Sequence, residues 1–409
     1  MVDPKLSLRT RPSLAVRRRR SVLAVVVGGV VVAAAVLFLG HGGSHAARPA
    51  AAAAAAVPSS PLIGPITPPP SVASPSNIYA ADGANMFSPA VRGALSRLYV
   101  PNSEANTVDV IDPTTHRVVD HYKVGKLPQH VVPAWDLKTL YVTNDRSNSL
   151  TPIDPTTGKR AGADIAVDDP YNMYFTPDGT EAIVVAEAHH HLDFRDAHTF
   201  ALKHRVSVTC GGVDHIDFAA DNSYLIASCE FSGQLVKVDL RTQTVVGYLD
   251  IGGKPQDVKL EPAGKVFYVA DMVGNGLDEI DGASFTKIGF LPTGPETHGL
   301  YPSRDAKTMY VSNRGGMKTN HGSISVVDFA TRQVVATWPI PPPSTPDMGG
   351  VSADGKTLWL AGRRTGEVYG MDTTTGRLAA RVPVGAGPHG LCVWPQPGRY
   401  SLGHTGILR

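Results

Sequence analysis

The chain has 409 residues, of which 42% are hydrophobic and 18% charged, and its formal net charge is +2 at pH 7. That balance, with Lys and Arg scattered once the first residues are set aside, excludes the basic stripe that a nucleic-acid partner requires. The chain contains no HExxH, GxSxG, Walker loop or CxxC pattern, so metalloprotease and serine-hydrolase readings lose most of their support.

The first predicted element lies at the front. Residues 1–20 form a basic segment ending in Arg17 to Arg20, and residues 21–39, Ser21 to Leu39, carry no charge. A helix needs about 20 apolar residues to cross the hydrocarbon core of a bilayer, and a basic cluster stays on the cytoplasmic side. The expectation is a single-pass signal anchor in the cell membrane, with everything downstream extracytoplasmic. Ser44-His45-Ala46 leaves cleavage and secretion open as the alternative. Arg19-Arg20-Ser21-Val22-Leu23 also has the outline of a twin-arginine signal. Residues 40–77 turn to Ala, Pro and Ser, with Ala50 to Ala56 and Pro68 to Pro70 as extremes. Such a composition buries too little to offset the entropy of ordering, so this linker is expected to act as a semi-flexible stalk.

From there one phrase recurs seven times: LYVPN from Leu98, LYVTN from Leu140, IVVAE from Ile183, LIASC from Leu225, FYVAD from Phe267, MYVSN from Met309 and LWLAG from Leu358. The steps are 42, 43, 42, 42, 42 and 49 residues, the period of four-stranded blades around an axis. Most units then carry an apolar residue and an acid at a turn, as in Ile111-Asp112, Ile153-Asp154, Val238-Asp239, Ile280-Asp281, Val327-Asp328 and Met371-Asp372. Asp accepts hydrogen bonds from the amides ahead of it and folds two strands back on one another. Gly and Pro corners, at Gly125 to Pro128, Gly252 to Pro255 and Gly385 to Pro388, lead into the innermost strand of the next unit. Runs such as Phe267 to Ala270 are continuously apolar, which indicates strands covered on both faces. The predicted fold is all-β, a seven-bladed β-propeller over residues 78–409.

On these repeats the chain resembles the YVTN-repeat propellers of the bacterial YncE-like group, from about Ala84 to Arg409. The resemblance implies architecture and no single reaction, since such propellers include lactonases, lyases, surface-binding modules and parts of nitrite and nitrous oxide reductases.

Aligning the units places His130, Asn172, His215, Asp257, His298, Met348 and His389 at the start of the inner strands, facing a central channel. Asn102, Asn144, Glu187, Glu230, Asp271, Asn313 and Arg363 fall at the ends of the second strands, at the same mouth. The inner-strand ring and Arg363 are the expected ligand-binding residues. Imidazole and carboxylate groups suit a transition metal, and a channel histidine suits a general base. The ring is similar to the copper arrangement of nitrous oxide reductase but departs from it at Asn172, Asp257 and Met348. The calcium site of gluconolactonase-type propellers is the nearer chemical match, which makes Asn144, Glu187, Glu230 and Asp271 the candidate metal ligands. Against this stands a scaffold reading of Asn102, Asn144 and Asn313 as residues that close local turns.

Cys210 and Cys229 are placed for a disulfide between the start of one strand and the end of its neighbour; two buried thiols are the alternative. Two loops at the mouth, Gly315 to His321 and Pro341 to Pro346, are candidates for a lid, and His189-His190-His191 for adventitious metal affinity. Ring closure falls to His389 to Pro395, matching His298 to Pro302, or instead to Ala84 to Pro89. The functional expectation is a membrane-tethered module binding a small molecule or a cell-envelope protein at the funnel mouth. The alternative is a metal-dependent lactone hydrolase or lyase at the same place.

Overall fold

Each repeat folds where its apolar run can be covered twice. The second strands, such as Val266–Asp271 and Glu181–Ala186, are buried along their whole length, whereas outermost strands such as Thr244–Asp250 alternate between exposed and half-buried residues. Between them lies the acid turn: Asp112 Oδ1 accepts the Thr114 amide at 2.8 Å, Asp239 the Thr242 amide at 2.7 Å and Asp372 the Thr375 amide at 2.7 Å. Asp196 does the same with Thr199, so the third unit has the turn as well.

The computed structural model describes residues 77–404 and 406–409. The expected basic segment, membrane span and all but the last residue of the stalk lie outside them. Among the described residues no helix is long and apolar enough to cross a membrane.

Seven antiparallel sheets follow in chain order. Blade 1 comprises Arg97–Asn102, Thr107–Asp112 and Arg117–Lys123, and blade 2 comprises Pro128–Pro133, Leu140–Asn144 and Ser149–Asp154 with two short outer strands. Blade 3 begins at Asn172–Phe175, blade 4 at Val213–Phe218, blade 5 at Pro255–Leu260, blade 6 at Thr297–Pro302 and blade 7 at Pro346–Val351. The core lies between sheets: Leu98, Val100 and Ile111 of blade 1 pack with Trp359, Ala361 and Val368 of blade 7.

Closure uses the C-terminal choice. Cys392–Trp394 pairs antiparallel with Arg97–Asn102 and supplies the innermost strand of blade 1. Ala84 to Pro89 instead makes a bridge from Phe87 to Gly398 and leads into a short helical turn, Pro89–Val91. Beyond Gly398 the chain turns under the ring, where Ser401–Gly403 adds to the inner edge of blade 3. Cys210 and Cys229 are joined as a disulfide with Cα atoms 5.9 Å apart; Cys392 is a buried free thiol.

Candidate functional site

The inner strands share an irregularity that sets which side chains reach the axis. In blade 2 Pro128 pairs with Asn144 and Val131 with Val142, so Gln129 and His130 together oppose Thr143. Asp214 and His215, Gln256 and Asp257, His298 and Gly299, and Asp347 and Met348 form the same bulge in blades 4 to 7. A bulge re-aims side chains that strict alternation would send to opposite faces. Its spare amide is satisfied by a hydroxyl on the facing strand: His130 N donates to Thr143 Oγ1 at 3.1 Å, His215 N to Ser228 Oγ at 3.1 Å and Gly299 N to Ser312 Oγ at 2.8 Å.

The predicted ring therefore divides into two layers. His298 and His389 belong with Asp214 and Asp347, the first bulge position. His130, Asn172, His215, Asp257 and Met348 lie one residue further along. All seven predicted residues are buried at the axis. His130 and His389 have ring centroids 4.9 Å apart, His130 and His215 5.6 Å, and His298 and His389 6.1 Å.

The upper layer is organised by Asp347. It stands 3.0 Å from His298 Nδ1 and 2.8 Å from His389 Nδ1, and it accepts Arg314 Nε at 2.8 Å. Burial alone would raise its pKa, yet Arg314, His298 and His389 hold it well below the usual carboxylate range. His389 is pushed down to about 3 by burial and by Arg363, against the pull of Asp347. Asp257 accepts the amides of Val258 at 3.0 Å and Leu300 at 2.9 Å, while burial lifts it to about 6.

At the mouth the strand pairings separate two sets that the repeat phrase merges. The last paired residues of the second strands are Asn102, Asn144, Ala186, Cys229, Asp271, Asn313 and Gly362. Those with polar side chains bond within their own blades, although Oδ1 of Asn102 and of Asn144 is buried without a hydrogen-bond partner. Asn102 Nδ2 donates to Thr107 Oγ1 at 3.0 Å and Asp109 Oδ2 at 2.9 Å, and Asn144 Nδ2 to Thr151 Oγ1 at 2.9 Å. Asn313 Nδ2 donates to Ser325 Oγ at 3.1 Å, while Asp271 Oδ1 accepts the amides of Lys254, Val273 and Gly274 at 2.9 to 3.0 Å. The corner glycines follow from this, because a methyl group on Gly385 would sit 2.7 Å from the Asn102 amide.

One residue further on stand Asp145, Glu187, Glu230, Met272, Arg314 and Arg363, and these face the channel. Glu187 rises to about 8 through burial and the neighbouring Glu230, Asp145 and Asp169, and Asp145 to about 7 through burial and Asp169. Asp214 is held well above its usual range by burial, Glu230 and Glu187. It lies 3.1 Å from His215 Nε2, although the two groups are not aligned for a hydrogen bond. Opposite them, Arg363 Nη1 is buried without a hydrogen-bond partner, 3.9 Å from Asp347. Of the four candidate metal ligands, Glu187 and Glu230 come together, whereas Asn144 and Asp271 serve the scaffold.

The two mouth loops join each other through a bridge between His321 and Ser344. Arg364 ties them to the rim, bonding Asn320 at 3.0 Å and Glu296 at 2.9 Å. In His189-His190-His191 only the first two residues are on a loop, since His191 begins a strand and is buried.

Sequence reasoning passed over Asp214, Asp347, Arg314 and Asp145, each one position from a residue it singled out; only the bulge tells the two registers apart. It also missed His404, which comes from the tail and lies outside the repeat. The His404 amide donates to Met173 O at 3.0 Å. Its ring centroid is 5.0 Å from that of His130 and 4.7 Å from that of His215.

A family model described as a YncE-like β-propeller matches residues 70–397. No curated protein matches the sequence. Among solved structures, a putative 6-phosphogluconolactonase from Bacteroides uniformis superposes with TM-score 0.59 at 16% identity, covering 73% of this chain and 99% of that one. A functionally unknown protein from Desulfotomaculum acetoxidans gives 0.58 at 14%, covering 72% and 99%. Hydrazine synthase of Kuenenia stuttgartiensis gives 0.54 at 19%, covering 64% and 87%. At these identities the likeness is one of fold.

Proposed function

Because this chain belongs to the YncE-like β-propeller family, whose fold supplies a funnel and no fixed chemistry, we propose that it is an extracytoplasmic, membrane-tethered binding module. Its ligand is a zwitterion taken at the funnel mouth. The observation that carries this reading is the segregation of charge around the rim. Asp145, Glu187, Glu230 and Asp214 lie on blades 2 to 4, and their carboxyl groups repel one another. Arg314 and Arg363 lie on blades 6 and 7. Lys254 Nζ, 3.4 Å from Glu230, offsets only part of the acidic arc. A ligand ammonium placed there relieves the repulsion, and a ligand carboxylate meets the unpartnered Arg363 nitrogen. Exposed Phe231 and Val273, beside Glu230 and Met272, give such a ligand an apolar rest. Tethering rests on the uncharged span at residues 21–39, and the Cys210–Cys229 bond suits an oxidising compartment.

The probe is a panel of free apolar amino acids and dipeptides, their amidated and acylated forms, and simple anions, measured by calorimetry and thermal shift. Zwitterions are expected to raise Tm, and Arg363→Ala or Glu187→Gln to weaken binding about tenfold or more. Equal response to the amidated or acylated forms would sink the reading. A second reading, a lactone hydrolase or lyase, is favoured by Glu187, whose carboxyl titrates at about 8, where a general acid works at neutral pH. Turnover of a lactone panel that is lost in Glu187→Gln would establish it.

A further inference from the structure

Below the mouth, three imidazoles from separate parts of the chain meet in the buried floor of the channel. His130 and His215 hold the second bulge position in blades 2 and 4, and His404 rises from the tail between them. One ring nitrogen from each lies within 4.8 Å of the others, and all three side chains are buried. We propose that His130, His215 and His404 bind one divalent first-row transition-metal ion, which fastens the C-terminal tail beneath the ring.

The chemistry of the site favours this over an idle cluster. Both ring nitrogens of His130 are buried with no hydrogen-bond partner, a costly condition for polar atoms that an ion on the unprotonated nitrogen would relieve at one of the two. Carboxylates stand behind two of the rings: Asp214 lies 3.1 Å from His215 Nε2, and Asp257 lies 3.6 Å from His404 Nε2. Carboxyl groups this close would compensate the charge of an ion by ionising as it binds. The opposite nitrogens of the same two rings converge on Asn172, His215 Nδ1 at 3.2 Å and His404 Nδ1 at 3.0 Å from its amide nitrogen. Three imidazoles with no thiolate suit zinc, copper or nickel and disfavour calcium. Around a tetrahedral zinc ion, ligand nitrogens stand about 3.3 Å apart, so binding would draw the three rings closer together. The set is separate from the Glu187 and Glu230 arc at the rim.

The test uses the full chain, stripped with a chelator and titrated with Zn2+ and Co2+. One ion per chain is expected, with visible d–d absorption for bound Co2+ and a rise in Tm. His404→Gln is expected to weaken affinity about 100-fold or more, since loss of a ligand exceeds the effect of losing an outer partner. Arg363→Ala and Glu187→Gln are expected to leave stoichiometry unchanged, so failure of the zwitterion reading and failure of this one show up separately. The His189→Ala, His190→Ala, His191→Ala triple variant is expected to bind one ion as well. X-ray absorption of the zinc-loaded wild type counts imidazole ligands without depending on how any variant folds. A spectrum with fewer than three, the absence of stoichiometric binding, or retention unaffected by His404→Gln would overturn the proposal.

Discussion

Asp82 shows how far burial can outweigh neighbouring charge. Its carboxyl lies at the closed end of the channel, beside a cavity of about 40 Å3 shared with Tyr79, Lys259, Arg304 and Gln396. Arg304, Arg409, Arg399 and Lys259 all favour its ionised form, yet loss of water raises it to about 7. Between the unfolded value near 3.8 and about 7, the folded state holds a proton that the unfolded chain releases. Stability from this group is thus present at low pH and lost as pH rises to about 7, by roughly 4 kcal/mol at most. Asp82→Asn keeps the size and removes the titration. Urea unfolding at pH 5 and pH 8 is expected to show a smaller difference in the variant than in the wild type; identical differences would remove Asp82 from the account.

At the scale of the element, blade 4 is the one whose inner hairpin is covalently locked. Cys210 precedes Val213–Phe218 and Cys229 ends Tyr224–Cys229, with 19 residues of separation. A loop of that length restricts the unfolded chain by about 3 kcal/mol in the chain-entropy treatment. The Cys210→Ala, Cys229→Ala double variant is expected to lose about that much in denaturant unfolding and to match the reduced wild type. Equality with the oxidised wild type would mean that the bond contributes nothing. This pair was legible in the sequence because it joins neighbouring strands of one repeat unit, and the strands and acid turns because each is written in residues only a few places apart. Less legible was the bulge: Gln129-His130 and His298-Gly299 look interchangeable in the repeat, and only the pairing of Val131 with Val142 and Leu300 with Val311 shows which residue sits higher. The same one-residue ambiguity merged Asn144 with Glu187 at the mouth. His404 was beyond reach, since nothing local predicts that a tail will turn back under the ring.

For the molecule as a whole, stability depends on how the ring is shut, and two segments of the same tail do different work. Cys392–Trp394 completes blade 1, so its removal exposes the edge of Arg97–Asn102 and uncovers Leu98 and Val100, which pack with Leu391 and Val393. An open, flat, apolar edge invites pairing with other chains. The described residues beyond Gly398 pair with no strand of blade 1, although Leu408 packs with Tyr99, Cys392 and Trp394, and they seal the far end. Arg409 pairs with buried Asp217 at 3.0 Å and lies 4.9 Å from the Tyr79 ring centroid. Removing one partner of a buried pair costs about 3–5 kcal/mol, because the other charge is left uncompensated. A chain ending at Leu391 is therefore expected to lose its single cooperative transition and to aggregate. A chain ending at Gly398 is expected to keep one transition at a lower Tm and to lose the metal held through His404. Calorimetry and light scattering on the two truncations decide the point: equal stability, or aggregation of the longer chain alone, would show that the ring is held shut by something other than the pairing in blade 1.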